Sequence, residues 1–237
     1  MTGWAKMAEP TDPIDPQLAP RRDMNVGDGV ARGTSRMEAF ADAVFAIAFT
    51  LPIVEFALPE HGGKALGREL IALWPEYLGY ALGSLVIGLY WEHHHFSGAI
   101  YRTTGHYFNL ATVLFLAAIG FIAFPARVFA EHVTDPAGQA GAARYFAVAL
   151  AVTALCWLLK WTVGRRTGHV DQRLDRAYVT RLDRRYWMTS GLMTAGAALS
   201  FVHWQTGLGL AALTTLSYLL PPETPVYRTE VPIVEGT

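Results

Sequence analysis

Three ionisable residues open the first long apolar run of the chain, in the order Arg36-Met-Glu38-Ala-Phe40-Ala-Asp42. Charge inside such a run is expensive, so groups of this kind pair with a neighbour or take part in moving ions or protons. Glu55 lies further along the same run and His203 in a later one, and Glu92-His93-His94-His95 with His106 forms a dense patch. The histidines invite a metal ion, but consecutive side chains on a helix point about 100° apart, so three in a row do not converge. The sequence has no His-Glu-x-x-His and no pair of cysteines, and the expectation is no metal and no cofactor. A nucleophile matched to a base, or a loop that cradles phosphate, is also missing, which argues against an enzyme. Asp42, Glu55 and His203 remain as titrating groups of the type used by proton-coupled carriers, although no internal inverted repeat accompanies them.

The elements that must hold these residues follow from composition. The 237 residues are 52% hydrophobic and only 16% charged, with a formal net charge of −1. Soluble domains carry about 25% charged residues. Tyr186–Leu220 runs for 35 residues without Asp, Glu, Lys or Arg. These features exclude an ordinary soluble enzyme and a nucleic-acid binder that works through net positive charge. The lone Cys156 excludes a disulfide-stapled module, and no cleavable signal peptide is expected.

Apolar runs fall at about Phe40–Leu58, Leu70–Trp91, Tyr107–Phe129, Tyr145–Trp161, Tyr186–Trp204 and Gly207–Leu220. They predict an all-α polytopic membrane protein with six transmembrane helices. The last is short, and a tight hairpin around Gln205–Gly207 is expected before it. Pro52 is expected to kink the first span. Eight of the 13 prolines lie toward the two ends. Residues 1–32 read as a disordered cytoplasmic tail, 33–221 as the transmembrane domain with a charged cytoplasmic connection at 164–185, and 222–237 as a second cytoplasmic tail. Alternating spans put 15 of the 19 Lys and Arg on the side of the termini, Lys160 among them, and 4 on the other. By the positive-inside rule both termini are then cytoplasmic. Gly79 and Gly83, and further along Gly191, Ala195, Gly196 and Ala198, offer close-approach sites between helices.

The first span resembles the signature of the transmembrane protein 175 family, potassium channels of lysosomes and bacteria. That signature reads Arg, three residues, Phe-Ser-Asp, then an Ile five residues beyond the Asp. Arg36, Phe40, Asp42 and Ile47 stand in register, with Ala41 in place of the serine. Family members also end the second helix with Trp-x-x-His and carry an Asn early in the third, matched here by Trp91, His94 and Asn109. The resemblance covers roughly Arg36–Pro125 by motif. It implies a potassium-permeable channel whose first helix lines the pore, with the Arg-to-Asp motif held in a network with His94 and Asn109.

Helical geometry places Leu51 about 40° from Ile47, Val54 about 20° on its other side and Thr50 within about 60°, so the four form one stripe. Asp42 lies about 140° away. The family assigns such a stripe to the pore constriction. One chain supplies one such helix, so the resemblance implies a homotetramer in the lipid bilayer, gated by a hydrophobic neck and passing monovalent cations.

Overall fold

Proline decides where the helices break. The computed structural model describes residues 33–60 and 63–228. The expected tail over 1–32 and the final stretch 229–237 lie outside the described residues. Helix α1 spans Ser35–Thr50 and tightens into a 3-10 segment at Leu51–Glu55. Pro52 has no N–H to offer the carbonyl four residues back, so the expected kink takes the form of this tightening. Pro75 stands at the start of α3 (Trp74–Gly98), where the missing donor would have bonded into α2 (Leu66–Ala72), and the two helices meet at 43°. Pro125 does the same beyond α4 (His106–Phe121), which gives way at Ile122 to α5 (Ala123–His132). Helices α6 (Gln139–Arg166), α7 (Arg176–Ser200) and α8 (Trp204–Leu216) are unbroken. Among the described residues there is no strand, only isolated bridges at Tyr101–Val170 and Leu174–Tyr227.

Small residues decide which helices touch. A methyl group at Gly79 would stand 2.9 Å from Arg127 Cα, and one at Gly83 would stand 3.2 Å from Ala123 Cα. These two glycines therefore let α5 lie directly on α3. Helix α6 is surrounded by α4, α5, α7 and α8, and buries Ala142, Ala143, Ala147, Ala151 and Ala154 against them. The α7–α8 pair closes through Gly196 and Gly207, where an added methyl would lie 3.0 Å from Ala211 N and 2.6 Å from Gly196 O respectively. Gly191, Ala195 and Ala198, expected to share that task, are exposed instead.

The hairpin is also displaced from its expected place. Phe201–His203 makes the turn, His203 caps α8 by accepting from Thr206 N–H, and Gly207 is already inside the helix. A histidine cap outweighs the turn tendency of a glycine four residues later.

By length and composition, three helical stretches are suited to crossing a bilayer: Ser35–Glu55, His106–His132 and Gln139–Arg166. The bent pair α2–α3 makes a fourth if it is one span. Charges are segregated along the bundle. Arg102, Arg165, Arg173, Arg181 and Arg228 gather at one end with Asp171, Asp183 and Glu223. Arg127 with Glu55, and Arg144 with Ser200 O, mark the other. Lys160 departs from the expected grouping, because it is buried within α6 and not on the charged connection.

Candidate functional site

Helix α1 is attached to the rest of the chain by a single narrow stripe. Ala41, Phe45 and Ala48 are its buried residues, spaced to fall on one side, and they face α3 and α4. Phe45 meets the His94 ring edge-on at 5.5 Å and the Phe115 ring at 6.1 Å. The two alanines on either side let the backbones come close around that one aromatic.

Another stripe of the helix is left largely open by its own chain. Ile47 is 58% exposed, Leu51 55% and Val54 72%, and Thr50 is exposed as well. The Thr50 hydroxyl donates to Ala46 O at 2.7 Å, which satisfies it within the helix. Because Leu51 and Val54 lie in the 3-10 segment, they stand one above the other rather than fanned apart as a pure α-helix would set them.

The residues of the motif take separate partners. Trp91 Nε1–H donates to Asp42 Oδ1 at 3.1 Å, which links α3 to α1. Arg36 and Asp42 are six residues apart, about 120° around the helix, and no ion pair joins them. His94 lies one turn past Trp91 but points inward, stacked on Phe115 with an interplanar angle of 6°. Its Nε2 has no hydrogen-bond partner among the described residues, nor has Asn109 Oδ1 on α4. Phe40 and Arg36 are exposed. The three consecutive histidines go three ways: His93 Nε2 to Tyr218 O at 3.0 Å, His94 to the core, and His95 onto the Trp91 ring at 5.7 Å. Among the described residues no three His, Cys, Asp or Glu gather where a metal ion would sit.

Asp42, Glu55 and His203 do not form a relay. Asp42 faces Trp91 toward the arginine-rich end, Glu55 accepts from Arg127 at the far end at 2.9 Å, and His203 caps α8.

Lys160 is the polar residue that the sequence did not single out. It is 1% exposed, with Nζ 4.9 Å from the Trp157 ring, 5.3 Å from Tyr101 and 5.9 Å from Phe115. Among the described residues its one hydrogen-bond contact is Ser97 Oγ at 3.4 Å. Among the described residues no carboxylate pairs with it directly; the charge of Glu38 on α1 acts on it from farther off, and the ring faces supply further negative potential. The signal is in the sequence: the one charge in the apolar stretch Tyr145–Gly164, with tryptophans three residues before and one residue after.

Comparison with known proteins adds the lineage. The family model described as endosomal/lysosomal potassium channel TMEM175 matches residues 36–123. A potassium channel of Chamaesiphon minutus is 30% identical over 190 residues, covering 79% of this chain and 94% of its own. One from Streptomyces collinus is 29% identical over 187 residues, with 78% and 91% covered. The crystal structure of a lysosomal potassium-selective channel TMEM175 homologue from Chamaesiphon minutus superposes with a TM-score of 0.66 at 29% identity. That match covers 79% of this chain and 96% of the other.

Proposed function

The chain belongs to the TMEM175 family of potassium channels, and from that premise we propose that it forms a potassium-permeable pore in a membrane. The observation that carries this reading is the unpartnered stripe Ile47, Thr50, Leu51 and Val54 on a helix that its own chain holds by one side only. A stripe of exposed apolar residues needs either lipid or another protein surface. Four copies of α1 around an axis would turn it inward as a neck, the closed symmetry expected of a homo-oligomer. The six helical stretches then act as six spans, with both termini and the arginine-rich end in the cytoplasm.

A neck of Ile47, Leu51 and Val54 gates by width and wetting, since apolar walls offer water and ions no polar contact. No Thr-Val-Gly-Tyr-Gly filter is present to replace an ion's hydration shell with carbonyls. Selectivity must then come from the lower cost of stripping water from potassium than from sodium, and is modest. Trp91, Asp42 and the Phe45–His94 contact position α1 for this task and do not touch the ion.

The test is purified protein in planar bilayers, with reversal potentials read in opposed potassium and sodium solutions. The wild type is expected to follow the potassium gradient, and Ile47→Asn, which wets the neck, is expected to move the reversal potential toward that of an unselective cation pore. An unchanged permeability ratio in that variant would remove Ile47 from the pore. Saturating flux that tracks a proton gradient would favour a carrier instead.

A further inference from the structure

At the arginine-rich end, three stretches distant in sequence are laced together by backbone hydrogen bonds. Arg102 N–H donates to His169 O and Asp171 N–H to Ile100 O, both at 2.9 Å, tying the α3–α4 connection to the α6–α7 connection. Asp175 N–H donates to Val226 O and Arg228 N–H to Arg173 O, both at 2.8 Å, and the Tyr227 hydroxyl donates to Ala99 O at 3.1 Å. Residues 223–228 are thus pinned to the bundle rather than free. Among these walls and the first turns of α7 lies a cavity of about 660 Å³, whose charged lining is Arg165, Asp171, Arg176 and Arg228.

We propose that this cavity binds a phosphate-bearing anion, gripped by Arg176 and Arg228 with Arg165 behind them. The one carboxylate in the lining is already engaged. Asp171 accepts from Arg173 at 2.8 Å and lies 3.9 Å from Arg102, so an incoming anion does not meet it bare. Arg165 is fixed by Asp183 at 2.7 Å and keeps donors to spare. Arg176 and Arg228 are exposed and have no carboxylate partner within 4 Å among the described residues, whereas Arg181 nearby is paired with Glu223.

Guanidinium forks from three different segments suit a tetrahedral group with several acceptor oxygens better than a carboxylate, which offers two. At the first turn of α7 the Asp175 carboxylate already accepts from Tyr178 N–H, which leaves only the N–H groups of Arg176 and Ala177 to add to the arginines. The backbone bonds around the rim hold the Arg228 main chain in place before any ligand arrives, so the ordering cost left is that of its side chain. The phosphodiester of an anionic phospholipid and free phosphate share this chemistry. The lipid source rests on the membrane-spanning reading above, and the anion site does not.

The full-length chain in nanodiscs separates the sources. Thermal unfolding is followed in phosphatidylcholine alone, in phosphatidylcholine with phosphatidylglycerol, and in phosphatidylcholine with inorganic phosphate against chloride at equal ionic strength. A higher midpoint only with phosphatidylglycerol identifies a lipid headgroup; a higher midpoint with inorganic phosphate identifies a soluble anion. In either case Arg176→Gln with Arg228→Gln is expected to weaken the effective binding roughly thirtyfold. The same pair should leave the midpoint in phosphatidylcholine alone unchanged, since both side chains are exposed. Arg68→Gln, remote on α2, should respond as the wild type does. The proposal is overturned if the wild type responds to neither addition, or if the double variant responds as strongly as the wild type.

Discussion

Lys160 shows how a single residue can be both costly and kept. Its ammonium has no carboxylate neighbour within 4 Å and rests on three ring faces and one hydroxyl. Replacing a buried charge by an apolar side chain of similar length is often neutral or stabilising, while shortening it opens a void. Lys160→Met is therefore expected to leave the thermal midpoint in detergent unchanged or raised, and Lys160→Ala to cost about 2–5 kcal/mol. Equal losses in both would mean that the charge itself holds the core together. At the arginine-rich end the residue logic is different. Burial works to raise the Asp171 pKa, but the Arg173 hydrogen bonds and the Arg102 charge overcome it and hold it below the ordinary carboxylate value, so the carboxyl stays ionised. Ion pairs with arginine are strong enough to reverse the effect of desolvation.

For the helices, contact is governed by what is absent from a side chain. Gly207 lies so close to Gly196 O and Ser200 that no other residue fits without moving backbone. Gly207→Val is expected to separate α7 from α8 at a cost of about 3 kcal/mol or more, while Gly191→Ala, with open space around it, should be neutral. Size-exclusion profiles and thermal midpoints of the two variants check this, and similar behaviour in both would count against the close packing. The helices themselves were legible in the apolar runs, and proline placed the break after Thr50. Facing was less so. Gly79 and Gly83 announced a close approach without saying to what, and α5 proved to be the partner. The α7 glycines looked equivalent, yet only Gly196 meets a neighbour, because a uniformly apolar run gives no angular clue to its buried side. Within the implied network it is Trp91 that reaches Asp42, since a long indole at the rim spans a gap that the inward-turned imidazole of His94 does not. Lys160, which its sign groups with the cytoplasmic charges, lies inside the apolar run that ends at Trp161, and α6 carries that run on to Arg166.

For the whole molecule, the segregated arginines allow a prediction of which way the protein sits. The membrane reading puts the Arg165–Asp183 end inside the cell and the Arg127–Glu55 end outside. Cysteines introduced singly at the exposed positions Ala137 and Gln172 mark the two ends. The native Cys156 is buried and stays silent. An impermeant maleimide added to intact cells is expected to label Ala137→Cys and spare Gln172→Cys until the cells are opened; the reverse pattern would invert the topology.

The bare stripe on α1 has a consequence for how such a protein can change over generations. Ile47, Leu51 and Val54 are more than half exposed within their own chain, so substituting them costs the protomer little of its stability. On the proposed pore reading, mutations there are filtered by conductance and assembly rather than by folding, which would leave permeation free to drift while the scaffold behind Phe45 stays as it is.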